Sequence, residues 1–448
     1  MIKTSLITDL KESNDNRKIF INLQKFNSSL SQDTLFHGLF SEDYTYCKKC
    51  LESLDIMLLL GNLDISNIDF QIIQRITVLS QIPENYSNYL GVESLKEELI
   101  QTSYSFIYNL LQKNSNYIQM IIDSNIISIF IENIDKVNSY PMISDLIFLN
   151  SDLKFQIFNV DILQFIFKAI TDEILNIDAY CNSLQLLSLI IETEIFNIEQ
   201  NKEIYVKILE IYEKSTDEQI INASICFIEQ CSKFEKNFPL FELMDTLFNS
   251  ARKFRILPLD FQVIILNIFI NIAISNNFEI LFENNIPKLM FSWCETSIPR
   301  IITERPIIIK ILQIFNILFE KSDKIVENLL SSTIPQLFQN IFDNIGYSED
   351  FNVVFDFYRN LFRNDQLRSF VENIDISNFF STIFLCGNEL ISELLRFIHD
   401  NMTELPDIIK EYLHSDEFIE NIQDILDNRD LNEETHILAQ IIIESVTE

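Results

Sequence analysis

The sequence predicts an all-α repeat protein of about nine or ten stacked units. Three observations predict it: a phrase recurring roughly every 42 residues, a shortage of turn-forming residues, and prolines spaced like helix starts. Only 5 Gly and 9 Pro occur in 448 residues. That leaves little punctuation for the turns of an all-β protein or the glycine-rich loops of nucleotide enzymes. AT-rich codon usage would enrich Ile, Asn and Phe at the expense of Gly and Pro, so the periodicity carries more weight than the composition.

The recurring phrase is an amphipathic turn or two, a polar break with Asn, Asp or Ser, then a second apolar run. It appears as YIQMIIDSNIISIF (117–130), FQIFNVDILQFIF (155–167), NFEILFENNIPKLMF (277–291), KIVENLLSSTIPQLF (324–338), LRSFVENIDISNFF (367–380) and IIKEYLHSDEFIENI (408–422). Anchored on the first apolar residue after each break, with two weaker copies added, the series is Ile126, Ile162, Ile204, Phe238, Ile286, Ile334, Ile376 and Phe418. Successive anchors lie 34 to 48 residues apart. Proline is tolerated in the first turn of a helix, where its missing N–H has no partner to lose. Pro239, Pro287 and Pro335 are each 48 apart, and so are Pro258 and Pro306, which are expected to open a different helix of the same unit. A longer apolar helix follows the phrase, as in LQLLSLII (184–191), FQVIILNIFINIAI (261–274), IIIKILQIFNILFE (307–320) and FNVVFDFYRNLF (351–362). Each unit thus has a short helix and two longer ones. Such a unit buries its apolar faces only by stacking on its neighbours.

Counting 33 Lys+Arg against 66 Asp+Glu gives a net charge of −33, which repels nucleic acid and anionic bilayers and favours a basic protein partner. A hydrophobic fraction of 47% is far too high for a disordered acidic tail. The N-terminus lacks an apolar signal core, and the most apolar run, 261–274, is too short for a bilayer and carries Gln262, Asn267 and Asn271. No membrane segment is expected. Seven scattered cysteines do not form a disulfide framework, so the expected location is cytoplasmic or nuclear.

In these phrases the chain resembles the armadillo repeat family, which includes beta-catenin and importin alpha. NFEILFENNIPKLMF matches that family's first two helices, with Asn284-Asn285 in place of the usual Ala-Gly, and Asn is the next-best residue for a left-handed helix end. The family's closing motif on the third helix appears as IYNLL, IFINIA, IFNILF and YRNLF, with Asn109, Asn271, Asn316 and Asn360. The resemblance implies a right-handed α-α superhelix, with residues 1–61 as a degenerate helical cap and 62–448 as one continuous array. It also implies that the Asn column faces a concave groove and grips the backbone of an extended peptide, since a carboxamide both donates and accepts. In import adaptors of the family a Trp stands four residues before this Asn. Here those positions hold Ser105, Asn267, Leu312 and Asp356, and the single tryptophan, Trp293, falls on a second helix. The candidate partner-binding residues are therefore Asn109, Asn267, Asn271, Asn316, Asp356 and Asn360.

Catalysis finds no foothold. Neither a P-loop nor a GxGxxG or GxSxG motif can be written from the isolated glycines. Cys47-Lys48-Lys49-Cys50 has metal-ligand spacing, but no second pair or nearby His completes a site, and His37, His399, His414 and His436 form no ligand pair. No metal and no cofactor are expected. The reading is a non-enzymatic scaffold or adaptor that binds a protein or peptide partner. A nuclear import adaptor and a regulatory subunit of a phosphatase or kinase are the alternatives.

Overall fold

In the computed structural model, residues 30–81, 92–172, 176–191, 202–234, 246, 257–330, 341, 350–367, 374–385, 388–428 and 430–447 are described. All regular structure among them is helical. The anchors Phe238 and Ile334 and the prolines Pro239 and Pro335 lie outside the described residues. The chain divides into two compact units, residues 1–227 and 228–448.

The first unit holds α1 (Gln32–Gly38), α2 (Tyr44–Leu60), α3 (Phe70–Leu79), α4 (Val92–Lys113), α5 (Ile118–Asp123), α6 (Ile126–Glu132), α7 (Tyr140–Leu149), α8 (Leu153–Ile157), α9 (Val160–Thr171), α10 (Ile177–Ser188), α11 (Lys202–Lys214) and the start of α12 (Glu218–Ser232). Side-chain caps start many of these helices: Asp43 accepts from the amides of Thr45 and Tyr46, Asp69 from Ile72, and Asn159 from Ile162. Packing is strong between α2 and α4 and between α9 and α10. Arg75 ties α3 to the turn after α1, donating to the carbonyls of Leu39 at 2.7 Å and Ser41 at 2.9 Å. Deeper in, Tyr180 of α10 and Ser224 of α12 share a buried hydroxyl hydrogen bond of 2.7 Å. Cys47 and Cys50 are buried packing residues of α2, and burial pushes both thiols up.

The second unit continues through α13 (Leu259–Ile274), α14 (Glu279–Glu283), α15 (Ile286–Ser297), α16 (Ile301–Lys321), α17 (Lys324–Leu330), α18 (Phe351–Arg363), α19 (Ile376–Phe384), α20 (Asn388–Asn401), α21 (Asp407–Leu413), α22 (Asp416–Asp427) and α23 (Glu433–Thr447). The short-long-long unit is plain in α14, α15 and α16 and again in α21, α22 and α23. The third helices α13, α16 and α18 stack in series, as do α20 and α23. Lys321 of α16 reaches the end of α13, donating to the carbonyls of Ile274 and Ser275, which lack partners within their own helix. Pro258 sits at the N-cap of α13 and Pro287 in the first turn of α15. Pro306 falls in the first turn of the long part of α16, just after Glu304 leaves helical geometry at φ −106° and ψ 15°. Ser297 and Arg300 hold the Glu304 carboxylate at this bend, at 2.8 and 2.9 Å. A short helical turn thus ends at Glu304, and the long third helix opens with the proline in its first turn.

Asn125 and Asn285 take the left-handed conformation, at φ 61° and φ 56°, between the first and second helices of their units. A side chain branched at Cβ collides with the backbone there, whereas Asn tolerates it and Gly is unstrained. Asn285→Gly is therefore expected to leave thermal stability within a few tenths of a kcal/mol of wild type, and Asn285→Val to lower it by about 1–2 kcal/mol. A melt in which the valine variant matches wild type would refute this account.

Candidate functional site

The third helices of the second unit carry the predicted column because their apolar residues turn into the core and leave a polar stripe half-buried along one side. On α13, Ile265, Leu266, Ile268, Phe269 and Ile272 are buried while Asn267, Ile270 and Asn271 are only partly covered. On α16 the stripe is Lys310, Gln313, Asn316 and Ile317, and on α18 it is Val353, Asp356 and Asn360. With Glu229 and Lys233 these side chains, Asn360 excepted, line one cleft of about 520 Å3. Four predicted residues, Asn267, Asn271, Asn316 and Asp356, thus meet in a single cleft.

Asn360 adjoins it through Asn316. Asn109 is in the first unit and belongs to a different cluster. Of the positions one turn before each Asn, Ser105, Asn267 and Asp356 keep a polar environment. Leu312, the fourth, is fully buried. Gln313 takes the cleft position on α16, because the bend at Glu304 and the packing on α13 and α18 set which face of α16 turns inward.

The carboxamides do more than line the cleft. Asn267 Nδ2 donates to Glu229 Oε1 at 3.0 Å, Asn271 Nδ2 to Ser232 Oγ at 2.8 Å, and Asn316 Nδ2 to the Val353 carbonyl at 3.0 Å. Asn360 Nδ2 donates to Asn316 Oδ1 at 3.3 Å. The column is therefore a brace between successive third helices, with one N–H of each amide committed to a neighbour. What each carboxamide can still offer is its second N–H and an acceptor oxygen, which at Asn316 has one lone pair already taken by Asn360. In the first unit Asn109 spends its amide on Asp55 Oδ1 at 2.8 Å and Ser105 Oγ at 3.3 Å.

The cleft carries charges of both signs. Lys233 and Lys310 stand against Glu229 and Asp356. Asp356 pairs with Arg359 at 2.7 Å, and burial raises its carboxyl pKa despite that partner, helped by the like charges of Glu393 and Glu320. Lys233 reaches the Gln230 side chain at 3.1 Å, and Lys310 has no ion-pair partner among the described residues.

Sequence reading missed Glu229, Ser232, Lys233, Lys310, Gln313 and Asp55. A signal for the first two existed: Glu229 and Ser232 stand 38 and 39 residues before the Asn residues they accept from, close to one repeat. Nothing local marks Lys310. Among the described residues no group of three or more His, Cys, Asp or Glu could hold a metal ion, and no described helix is long and apolar enough to cross a membrane.

No protein-family model matches the chain, and no curated protein matches it. Solved structures do. The crystal complex of SYS-1 and POP-1 aligns over 96% of this chain and 95% of its own, with a TM-score of 0.60 at 12% identity. A structure concerned with the phosphorylation switch between cadherin and beta-catenin aligns over 93% and 94%, with a TM-score of 0.53 at 11% identity. These likenesses show the fold, an armadillo-type repeat solenoid.

Proposed function

We propose that this armadillo-type chain is a non-enzymatic scaffold whose second unit holds an extended segment of a protein partner across α13, α16 and α18. The observation that carries the reading is the convergence of Asn267, Asn271, Asn316 and Asp356 on one cleft. Carboxamides braced by neighbouring helices are pre-oriented, so little side-chain entropy is lost when they bond a passing main chain. The similar structures add support, since one is a complex of SYS-1 with POP-1 and the other concerns cadherin binding to beta-catenin.

A net charge of −33 steers a basic segment toward the chain, and the location proposed is the cytoplasm or nucleus. Within the cleft, two lysines against two carboxylates leave little net charge. The contacts there read main chain, while charge acts on approach. An import-adaptor role lacks the tryptophan column, and Leu312 is core rather than cleft.

The test is affinity capture from native lysate at about 50 and 300 mM salt, using wild type, an Asn271→Ala/Asn316→Ala/Asn360→Ala triple variant and Lys310→Glu. Melting curves identify any variant whose fold has weakened. Partners lost from the triple variant, perturbed by Lys310→Glu and weakened about 3- to 10-fold at the higher salt are the expected result. An identical partner set from all three proteins would place the interface elsewhere and favour a regulatory subunit that docks through other faces.

A further inference from the structure

The first unit carries a second surface that its core does not use. On α7, Asp145 and Phe148 stand three residues apart and Leu149 follows, so the three share the exposed side of the helix's last turns. Phe148 is 90% exposed, more than any other large apolar side chain among the described residues, and Leu149 is 55% exposed. Asp145 is also exposed, yet it is held in place from α4. Its Oδ2 accepts from Gln112 Nε2 at 2.6 Å and from the Tyr108 hydroxyl at 3.3 Å. Its Oδ1 has no partner among the described residues, and no Lys or Arg of those residues pairs with it. Tyr108 stacks on Tyr104 with ring centres 5.9 Å apart, which fixes the phenol beside the carboxylate. Burial and the Asp145 charge raise the Tyr108 pKa, so it remains a neutral donor.

We propose that this surface is a docking site for an arginine side chain on an exposed segment of a protein partner. A carboxylate oriented by two neutral donors keeps one open oxygen, which suits a charge-assisted bond from a guanidinium N–H. The Phe148 ring, one helical turn away, offers a face on which the planar guanidinium can stack, and Leu149 offers apolar surface for the stem. The net charge of −33 draws a cation in and repels an acidic partner. Lysine would satisfy the charge but lack the planar stacking, so arginine is preferred. The site uses none of the second-unit cleft, and it stands or falls apart from the reading proposed for that cleft.

The probe is a labelled twelve-residue peptide alternating Arg with Leu, compared with matched peptides carrying Lys or citrulline, the uncharged analogue of Arg, and followed by fluorescence anisotropy at about 150 mM salt. Asp145→Asn is expected to weaken the Arg peptide about tenfold and Phe148→Ala about threefold, with citrulline binding no more than a tenth as well. Asp145→Asn removes only one acidic group among 66, so diffuse attraction to an acidic protein would hardly change. Both residues are exposed, and unchanged melting of the variants separates lost docking from lost fold. Equal binding of the Arg and citrulline peptides, or wild-type affinity in both variants, overturns the proposal. Loss with Asn271→Ala/Asn316→Ala but not with Asp145→Asn overturns it too, while sparing the cleft.

Discussion

Phe379→Ala is expected to lower the stability of the second unit by about 3–5 kcal/mol, the usual range for truncating a fully buried aromatic. Phe379 is completely buried on α19. Its ring meets Tyr358 at 5.3 Å, Phe380 at 5.4 Å, Phe362 at 5.5 Å and Phe355 at 6.3 Å, and Tyr358, Phe362 and Phe355 all come from α18. The cluster continues through Phe380 to Tyr412 at 5.0 Å and Phe418 at 6.1 Å. One ring therefore links adjacent repeats, and its loss leaves a cavity that backbone on both sides is too constrained to fill. Phe379→Leu retains much of the volume and is expected to cost less. Trp293, the single tryptophan and buried in the same unit, reports the transition by fluorescence in urea. A tryptophan unfolding midpoint unchanged in Phe379→Ala would contradict this packing.

Asp55→Asn is expected to stabilise the first unit at neutral pH, whereas Asp55→Ala is expected to destabilise it by about 1–3 kcal/mol. Asp55 on α2 is 8% exposed, accepts from Asn109 Nδ2 at 2.8 Å and Ser105 Oγ at 2.6 Å, and has no cation within ion-pair distance among the described residues. Burial raises its carboxyl pKa, and the two donors offset that only in part. The folded pKa therefore lies above the unfolded value of about 3.9. Protonation favours the folded state, so this group's contribution is full below the unfolded pKa and is lost as pH rises through the folded one. The advantage of Asp55→Asn should be absent near pH 4, grow as the wild-type carboxyl ionises, then level off. Alanine instead leaves the half-buried Ser105 and Asn109 donors without their acceptor. Hydrogen exchange of α2 and α4 amides across that pH range measures both effects. An asparagine variant whose protection falls below wild type at neutral pH would show that the ionised carboxylate favours the fold.

Several features were legible residue by residue. Asn284-Asn285 reads as a helix break before Ile286, and Asn285 does adopt the left-handed conformation. The apolar run 261–274 reads as a third helix and forms α13. Pro306 was legible too, since it falls in the first turn of the helix that begins after the break at Glu304. Leu312 and Gln313 could not be ranked as cleft residues, since a one-residue difference on a bent helix is a rotation of about 100°.

What the sequence determined by itself is the repeat: its period, its helices, and an Asn at the end of several third helices. These are local consequences of hydrophobic periodicity, proline geometry and the tolerance of Asn for left-handed backbone. Tertiary structure alone decided what the Asn residues bond, that Glu229, Lys233, Lys310 and Asp356 balance one another in the cleft, and that Asp55 is buried with no cation beside it among the described residues. Those facts depend on residues 37 to 54 positions apart meeting across stacked helices, and no local pattern specifies which rotation of each helix brings them together.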